Sequence, residues 1–455
     1  MIKVTVYIPS YNYGKFLKQS IQSVLNQKYD DWQLIVIDDG STDNTRHILE
    51  EFRAHSKLTI IHQEKKGLPV SNNIALRMSQ GTYIMRLDAD DYLDENALLV
   101  LSNILDTHPD VGLVYPDYYR VDEDNCIIDI ERRKKIGEEV ELLDIPAHGA
   151  CTMLRKSCLL ELGGYNESLT CQDGYDLWIK FIHKFKPYNV NVPLFYYRQH
   201  HLSLTQDKSK ILSTRHHLQR TFVKDKFGNQ IPKVMAIIPV RKEIGPIPNL
   251  ALQKCAGKYF LDFTIEEALK TNLLDKIVVT SEDQDVLGYI KKFPKVIGIQ
   301  RSSNLALVNS RIEPTVDFVL DTLKKREQYV CDAVMLLYPH TPLRKYVHIE
   351  KAIDTMLIFD VDSVISVTEV LKVFYQHTKQ GLSPLMNKRM LRLEREALYE
   401  ENGAIYLSKT SHMTKDNFLS SKLGHVIMLP EESLKVDSKF NFWLIEKVLY
   451  ELHRS

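Results

Sequence analysis

The sequence predicts an α/β protein with two domains, each built on a largely parallel sheet. At 455 residues the chain is longer than one ordinary hydrophobic core covers. Strand-like and helix-like segments alternate at the start of the chain and alternate again after residue 231, which is typical of βαβ units. We expect one domain over residues 1–205, a helical connector over 206–231 and a second domain over 232–455.

The elements of the first domain follow in order along the chain. Short apolar runs predict strands at KVTVYIP, WQLIVID, LTIIHQ, GTYIMRLD and GLVYPDYY. Amphipathic spacing between these runs predicts helices at KFLKQSIQSVLNQ, NTRHILEEFRAHS and SNNIALRMSQ. The second domain repeats the pattern with strands at KVMAIIPV, KIVVTS, KVIGIQ, AVMLLYP and DSVISVT, and with helices near 262–272 and 284–293.

Composition excludes several classes of protein. With 59 basic and 59 acidic residues the formal net charge is zero, so we expect no nucleic-acid partner. The longest apolar runs are too short to span a membrane, and the first residues do not resemble a secretory signal. The six cysteines form no CxxC pair, which argues against a disulfide framework or a zinc site. We therefore predict a cytoplasmic protein, with contact at the inner face of the membrane left open.

A cluster of carboxylates follows the strand GTYIM in the segment RLDADDYLDE. Like charges this close repel one another unless a cation lies among them. The alternative is a solvated turn that caps the following helix. Two further polar clusters, IPSYN and IDDGSTDNT, also follow predicted strands. Because ligands bind at the carboxyl ends of parallel strands, the three clusters together favour a binding site.

Region 3–205 resembles the family 2 glycosyltransferases of the GT-A fold. The resemblance rests on IPSYN, VIDDGSTDNT, GTYIMRLDADD, GGYNESL, QDGYDLWIK and YRQH, which occur in the family's order. It implies transfer of a sugar from a nucleotide-activated donor to an acceptor hydroxyl, with inversion at the anomeric carbon. The donor is expected to carry a pyrimidine nucleotide.

The same resemblance implies a Mg²⁺ or Mn²⁺ cofactor, because carboxylate oxygens suit these hard cations. In the family, the first acidic residue of the turn contacts ribose and a later one contacts the metal. We therefore expect Asp88 and Asp90 to be the main ligands of donor and metal, with Asp91 as a third. Inversion also needs one general base, and Asp173 matches the family's catalytic carboxylate. Asp176 is the nearby rival, although its position suggests a helix start.

The donor-binding pattern has one departure. Many relatives carry arginine and asparagine before the helix that leads to the acidic turn, whereas here Asn72 replaces the arginine. A phosphate contact is then missing or supplied elsewhere. His200 matches a late loop that closes over the diphosphate, although a lone histidine can also be structural. The remaining donor-side positions that match the family are Pro9, Tyr11, Asp39 and Asn73.

Region 233–450 resembles the cytidylyltransferases of the CMP-sialic acid synthetase kind. The resemblance rests on IIPVR, CAGKYFLDFTIEEAL, DKIVVTSED, LLYPHTPLR, DSVISVTEV, ENGAIYLSK and LKVDSKFNFWLIE. It implies a second nucleotide-diphospho-sugar-transferase-like domain. The predicted architecture is thus two GT-A/Rossmann-like domains in tandem, with a homodimer through the C-terminal domain as a further possibility.

The second domain departs from this family where nucleotidyl transfer would occur. Arg241 is retained, but the family's phosphate-binding serine, lysine and asparagine positions hold other residues. Lysine stands in place of one metal-binding carboxylate, so that Asp437 remains alone. We therefore predict a catalytically degraded domain. The substituted positions are Ile244, Gly245, Leu250, Ala251, Glu400, Lys435 and Asn441.

Together these observations predict an inverting, metal-dependent glycosyltransferase with a cytidylyltransferase-like pseudoenzyme domain. The expected acceptor is a glycan, a lipid-linked molecule or another glycoconjugate, as in polysaccharide biosynthesis. One alternative is a bifunctional enzyme that makes a CMP-activated acidic sugar and also transfers a sugar. The other is a non-catalytic scaffold that binds nucleotide-sugars or partner enzymes. The retained carboxylates argue against the scaffold, and the missing lysines argue against the bifunctional enzyme.

Overall fold

The chain forms two compact units in the computed structural model, residues 1–218 and 219–455. The division lies within a helix over Lys208–Phe227, inside the range for which the sequence predicts a helical connector. No helix in the described residues is long and apolar enough to cross a membrane. The structure describes residues 2–200, 208–228, 230–242, 247–307, 309–379, 381–385 and 398–452.

The first unit is built on a nine-stranded sheet in the order β3-β2-β1-β4-β8-β6-β9-β5, with β7 paired to β6. Neighbours among the first four strands run parallel, and β8 is antiparallel to both β4 and β6. The α/β class predicted for this part of the chain is confirmed. The strands are β1 (Val4–Ser10), β2 (Trp32–Asp38), β3 (Leu58–His62), β4 (Tyr83–Arg86), β5 (Tyr92–Leu93), β6 (Val111–Val121), β7 (Ile127–Glu131), β8 (Met153–Arg155) and β9 (Lys186–Arg198).

Helices connect the parallel strands of the first unit, and their apolar side chains pack on the sheet. The central strand β1 is almost entirely buried, as expected for a strand covered on both faces. Hydrophobic side chains of β1, β2 and β4 form one core with those of α1 and α4. The helices are α1 (Gly14–Leu25), α2 (Thr45–Phe52), α3 (Leu68–Met78), α4 (Ala97–Thr107), α5 (Lys156–Glu161), α6 (Asp173–Ile182) and α7 (Lys208–Phe227).

The second unit has a seven-stranded sheet in the order β14-β13-β10-β15-β19-β16-β20 and two small hairpins, β11-β12 and β17-β18. Its strands are β10 (Val234–Pro239), β11 (Lys254–Cys255), β12 (Lys258–Tyr259), β13 (Leu274–Ser281), β14 (Val296–Gln300), β15 (Ala333–Leu336), β16 (Ser363–Val370), β17 (Tyr375–Thr378), β18 (Gly381–Pro384), β19 (Leu398–Lys409) and β20 (Leu423–Ile427). Its helices are α8 (Phe260–Lys270), α9 (Gln284–Tyr289), α10 (Glu313–Glu327), α11 (Tyr346–Ile358) and α12 (Lys439–Leu452).

The two large sheets share strand order and direction. In each, four parallel strands are arranged with the first strand between the second and the fourth, followed by an antiparallel strand. In the first unit this antiparallel strand, β8, also pairs with β6, and β9 runs parallel to β6 on its other side. In the second unit β19 likewise pairs with β16, and β20 runs parallel to β16 on its other side. The carboxyl ends of the parallel strands therefore lie along one edge in both units, where ligand sites form in such sheets.

Candidate active site

The acidic turn of the first unit begins where β4 ends, next to the carboxyl end of β1. Tyr7 of β1 is in register with Arg86, the last residue of β4. The N–H of Leu87 donates to the Tyr7 carbonyl at 2.9 Å, and the N–H of Asp91 donates to the Asp88 carbonyl at 3.1 Å, which closes the turn. The pairing of β4 with β1 therefore places the carboxylates at the edge of the sheet, as the sequence predicts for a site.

Two of the three carboxylates in the turn have a cationic or imidazole partner. Asp88 Oδ1 lies 2.8 Å from Arg86 Nε. Asp90 Oδ2 lies 2.9 Å from Nε2 of His200, whose side chain is only 1% exposed. The ring of His200 also stacks on Phe16, with centroids 5.4 Å apart. The structure thus places His200 against Asp90, so that the end of the YRQH motif packs on the acidic turn.

Asp91 is the most enclosed carboxylate of the turn. Its Oδ1 accepts from the backbone N–H of Arg198 at 2.9 Å, and its Oδ2 is a buried atom without a hydrogen-bond partner in the described part of the chain. Burial, and then the charges of Asp90 and Asp88, raise the pKa of Asp91 well above its usual range. Burial likewise raises the pKa of Asp88, although Arg86 opposes the shift. Burial and the neighbouring carboxylates therefore disfavour the ionised forms of Asp88 and Asp91, which a bound cation would favour.

Asp173 is the first residue of α6 and lies close to the acidic turn. Its Oδ2 accepts two hydrogen bonds at 3.0 Å, one from Asn72 Nδ2 and one from Arg86 Nη1. Arg86 thus bridges Asp173 and Asp88. The rival Asp176 is also buried, but its Oδ2 accepts from Lys180 Nζ at 2.6 Å, one helical turn further on. Of the two carboxylates, Asp173 is the one that Arg86 joins to the acidic turn.

Trp178 lies in the hydrophobic core of the first unit. Its side chain is 3% exposed, and its indole Nε1–H donates to the Leu143 carbonyl at 2.8 Å. This bond satisfies the only polar group of a buried indole.

Two of the predicted donor-side residues, Tyr11 and Asp39, follow the ends of β1 and β2. Asp39 Oδ1 accepts from Gln63 Nε2 at 2.6 Å and from the Lys66 N–H at 2.7 Å, while Oδ2 accepts from the Gly67 N–H at 2.8 Å. The ammonium of Lys65 lies 3.8 Å from the centroid of the Tyr11 ring. Asp39 therefore anchors the loop that carries Lys65 against Tyr11.

Pro9 and Asn73 hold backbone segments near these residues. Pro9 of β1 is in register with Ile37 of β2. Asn73 donates to the Tyr165 carbonyl and accepts from the Tyr165 N–H, at 2.8 and 2.9 Å. It thereby fixes the GGYNESL segment to α3.

Two arginines of the site were missed by sequence reasoning. Arg86 opens the acidic turn, and Arg198 belongs to the YRQH motif, so both adjoin segments that had been singled out. Arg198 is 1% exposed; its Nε donates to the Asp90 carbonyl at 2.9 Å, and its guanidinium carbon lies 4.7 Å from the centroid of the Phe16 ring. Arg198 therefore holds the backbone of the acidic turn.

In the second unit, several polar side chains singled out in the sequence form hydrogen bonds within the protein. Arg241 donates to the Leu307 and Ser310 carbonyls, each at 2.9 Å. Asn441 Nδ2 donates to Asp437 Oδ1 at 2.6 Å. Leu250 and Ala251 are buried. Ile244 and Gly245 lie outside the described residues.

No group of three or more His, Cys, Asp or Glu side chains in the described ranges is arranged to hold a metal ion.

Comparison with known proteins places the first unit in a family. The sequence model of "Glycosyl transferase family 2" matches residues 5–162. Chondroitin synthase from Escherichia coli is 32% identical over 184 residues, which are 39% of this chain and 26% of that protein. The chain thus spans about a quarter of the length of that relative. A TarS structure from S. aureus in complex with UDP-GlcNAc aligns with a TM-score of 0.43 and 18% identity, over 50% of this chain and 66% of that chain.

A smaller relative is matched over most of its length. The putative glycosyltransferase EpsE from Bacillus subtilis is 31% identical over 208 residues, which are 43% of this chain and 73% of EpsE. The acidic turn at the end of β4 lies within the residues that the family model matches. The chain therefore belongs to glycosyl transferase family 2.

Proposed function

We propose that the first unit transfers a sugar from a nucleotide-sugar to an acceptor hydroxyl, with inversion at the anomeric carbon. The observation that carries this proposal is the bridge formed by Arg86, which joins Asp173 to Asp88 at the carboxyl edge of the sheet. It places a carboxylate able to act as base beside the turn that would hold the donor. Inversion in a single displacement needs a base for the acceptor hydroxyl close to the bound donor.

In this mechanism Asp173 accepts the proton of the acceptor hydroxyl as that oxygen bonds to the anomeric carbon. The bond between the anomeric carbon and the diphosphate oxygen breaks, and its electron pair leaves with the nucleoside diphosphate. Asp173 is 8% exposed, so little water surrounds the carboxylate. Restricting water favours transfer to the acceptor over hydrolysis of the donor.

The donor would be held by the remaining residues of the site. Asp39 Oδ2 accepts one N–H in the structure, and a carboxylate oxygen has two lone pairs, so it can also accept the ring N–H of a pyrimidine. Tyr11 would stack on the base of the nucleotide. Lys65 would either stay on the ring of Tyr11 or move toward the diphosphate. Pro9 and Asn73 would shape the donor-binding site through the backbone segments that they hold. Asp88 would accept from ribose with the lone pairs that Arg86 does not use.

A divalent cation, Mg²⁺ or Mn²⁺, fits the acidic turn in one respect. Asp91 has a buried oxygen without a hydrogen-bond partner in the described residues. Burial and like charges raise the pKa values of Asp88 and Asp91, and a cation at the turn would offset both effects. Asp90 and Asp91 would hold the ion, with Asp88 as a third ligand, and His200 would orient Asp90. When bound, such an ion offsets the charge that develops on the leaving diphosphate.

The acceptor is proposed to be a glycan or glycoconjugate. Support comes from relatives whose names include chondroitin synthase and hyaluronan synthase, which are 32% and 29% identical to segments of this chain.

The test of this function is a panel of nucleotide-sugars offered to the full chain with Mn²⁺ and glycan acceptors, with nucleotide release and thermal shift as readouts. Metal-dependent nucleotide release that rises with acceptor supports the transferase. Donor binding without release for any donor–acceptor pair would support the non-catalytic scaffold instead.

We infer that the second unit has a cytidylyltransferase-like fold without nucleotidyl transfer. The shared strand order of the two sheets supports the fold. Burial of Leu250 and Ala251 supports the loss of a phosphate-binding pair, because neither side chain can offset phosphate charge. The amide of Asn441 occupies an oxygen of Asp437, the remaining carboxylate of the expected metal site.

Two lysines of the second unit that could replace the missing ones each lie near a carboxylate. The Lys242 ammonium lies 3.9 Å from Asp283 Oδ2, and the Lys258 ammonium lies 2.7 Å from Glu266 Oε2. Neither is therefore an obvious replacement for the missing lysines.

We predict that the full chain releases no pyrophosphate above background from CTP with common 2-keto acidic sugars. Each oriented donor that faces the moving charge is typically worth about 2.7–4 kcal/mol, so losing a lysine and half a metal site would slow the reaction by roughly four orders of magnitude. Pyrophosphate is measured with and without Mn²⁺. Metal-dependent release that Arg241→Ala abolishes would support the bifunctional enzyme.

The second unit is also proposed to mediate a homodimer. The hairpin β17–β18 and its flanks expose large apolar side chains, among them Leu382 at 70% and Leu385 at 56%. A lone two-stranded hairpin is marginally stable in water, and a second copy of the same hairpin would bury these side chains. The expected dimer is measured by light scattering, and Leu382→Asp should shift the protein toward monomer.

A further inference from the structure

The two oxygens of the Asp173 carboxylate are in different surroundings. Both hydrogen bonds to this carboxylate, from Asn72 and from Arg86, end on Oδ2. Oδ1 has no hydrogen-bond partner among the described residues. Two donors on one oxygen restrict rotation of the carboxylate, so Oδ1 keeps a constant orientation.

Asn72 is committed to Asp173. Its side chain is completely buried on α3. Its Nδ2 donates to Asp173 across 101 positions of sequence, while its own Oδ1 is buried without a partner in the described residues. A buried amide with an unpaired oxygen costs stability, and the hydrogen bond to Asp173 offsets part of that cost. The position where relatives carry arginine therefore contacts the candidate base in this chain.

Arg86 is held in place by the segment that follows β7. The Cys151 N–H donates to the Arg86 carbonyl at 2.8 Å. A Cβ added at Gly149 would lie 2.2 Å from Arg86 Nη2, so only glycine leaves room for the guanidinium there. His148 beside it has a pKa lowered to about 4, first by burial and then by Arg86, so that the ring is neutral near pH 7. The charge of Arg86 is therefore directed at Asp88 and Asp173.

We propose that Asn72 and Arg86 are positioning residues that hold Asp173 by Oδ2, so that Oδ1 is the oxygen that takes the proton from the acceptor hydroxyl. This inference rests on the proposed function. The proton moves from the acceptor oxygen to Oδ1, the acceptor oxygen bonds to the anomeric carbon, and the diphosphate leaves with the electron pair of the broken bond. Within the described part of the chain, the hydrogen bond of the Asn72 side chain goes to the acceptor-side carboxylate, whereas Arg86 also pairs with the donor-side Asp88.

The test compares Asn72→Leu, Asn72→Ala and Gly149→Ala with the wild type in the full chain. Leucine has nearly the shape of asparagine and removes the donor, and alanine is the second choice if leucine impairs folding. Acceptor kcat and KM and donor Kd are measured, with thermal unfolding as a check of folding. We expect kcat to fall roughly 10- to 100-fold in each variant, the loss for one hydrogen bond to a charged group. Donor Kd should stay within about threefold in the two Asn72 variants. Gly149→Ala should also weaken donor binding, because a Cβ there displaces the guanidinium that pairs with Asp88.

Arg86 provides a graded comparison. Arg86→Met should lower kcat more than Asn72→Leu and should also weaken donor binding, because Asp88 loses its partner. Arg86→Lys should recover part of the kcat, since an ammonium can reach one of the two carboxylates. Gly288→Ala in α9 of the second unit is the matched glycine control, because a Cβ there meets no atom within 4 Å, and it should behave as the wild type.

A double-mutant cycle separates positioning from a general structural effect. In the background of Asp173→Asn, Asn72→Leu should cause no further loss of kcat, because the carboxylate it orients is gone. Additive losses, a wild-type kcat for Asn72→Leu or a defect confined to donor Kd would each overturn this inference while the proposed function stands. A wild type that transfers no sugar with any donor–acceptor pair would overturn the proposed function and this inference together.

Discussion

Asp173→Asn is expected to lower turnover by roughly 100-fold or more while leaving donor binding nearly unchanged. The amide cannot accept the acceptor proton, but it keeps the size of the side chain and can still accept from Arg86 through its carbonyl oxygen. The donor would contact other residues, at the ends of β1, β2 and β4. Turnover is measured with saturating donor and acceptor, and donor affinity is measured separately by calorimetry.

Asp176→Asn is the matched control for this prediction. Asp176 lies three residues further along α6, is equally buried and pairs with Lys180 rather than with the acidic turn. Its substitution should reduce stability more than turnover, because a partly buried ion pair loses one member. If Asp176→Asn abolishes activity and Asp173→Asn is mild, the base has been assigned to the wrong carboxylate.

Asp90→Asn is expected to abolish transfer without unfolding the first unit. The substitution removes one negative charge from a turn in which burial and like charges already raise the pKa of the neighbours Asp88 and Asp91. Repulsion in the free protein therefore decreases, and thermal stability should hold or rise. Affinity for a hard cation falls, because an amide oxygen is a weaker ligand than a carboxylate.

The measurement is a titration of activity and of thermal shift with Mn²⁺ for the wild type and Asp90→Asn. A rise in unfolding temperature with Mn²⁺ in the wild type, absent in the variant, would support the metal assignment independently of activity. Asp110→Asn serves as control, since this exposed carboxylate pairs with Lys186 at the surface and should affect neither readout. Near-native turnover of Asp90→Asn in limiting Mn²⁺ would refute the assignment.

Much of the first unit followed from local patterns. Alternating strands and helices determine that a parallel sheet forms, and a parallel sheet brings its strand ends to one edge. The segments IPSYN, IDDGSTDNT and LDADD could therefore be grouped into one site although up to about 80 residues separate them. The pairing of Asp176 with Lys180 is also local, because residues four apart face each other on a helix.

The partners of these side chains, in contrast, depend on the tertiary structure. Asn72 and Asp173 are 101 positions apart, and no periodicity or motif spacing indicates that the amide meets the carboxylate rather than a phosphate. The double contact of Arg86 likewise depends on how α6 docks against β4 and on the room left at Gly149. Sequence patterns act over one helical turn or one strand, so they determine which element a residue lies on. Which distant side chain it meets depends on the packing of whole elements, and that is fixed only when the chain folds.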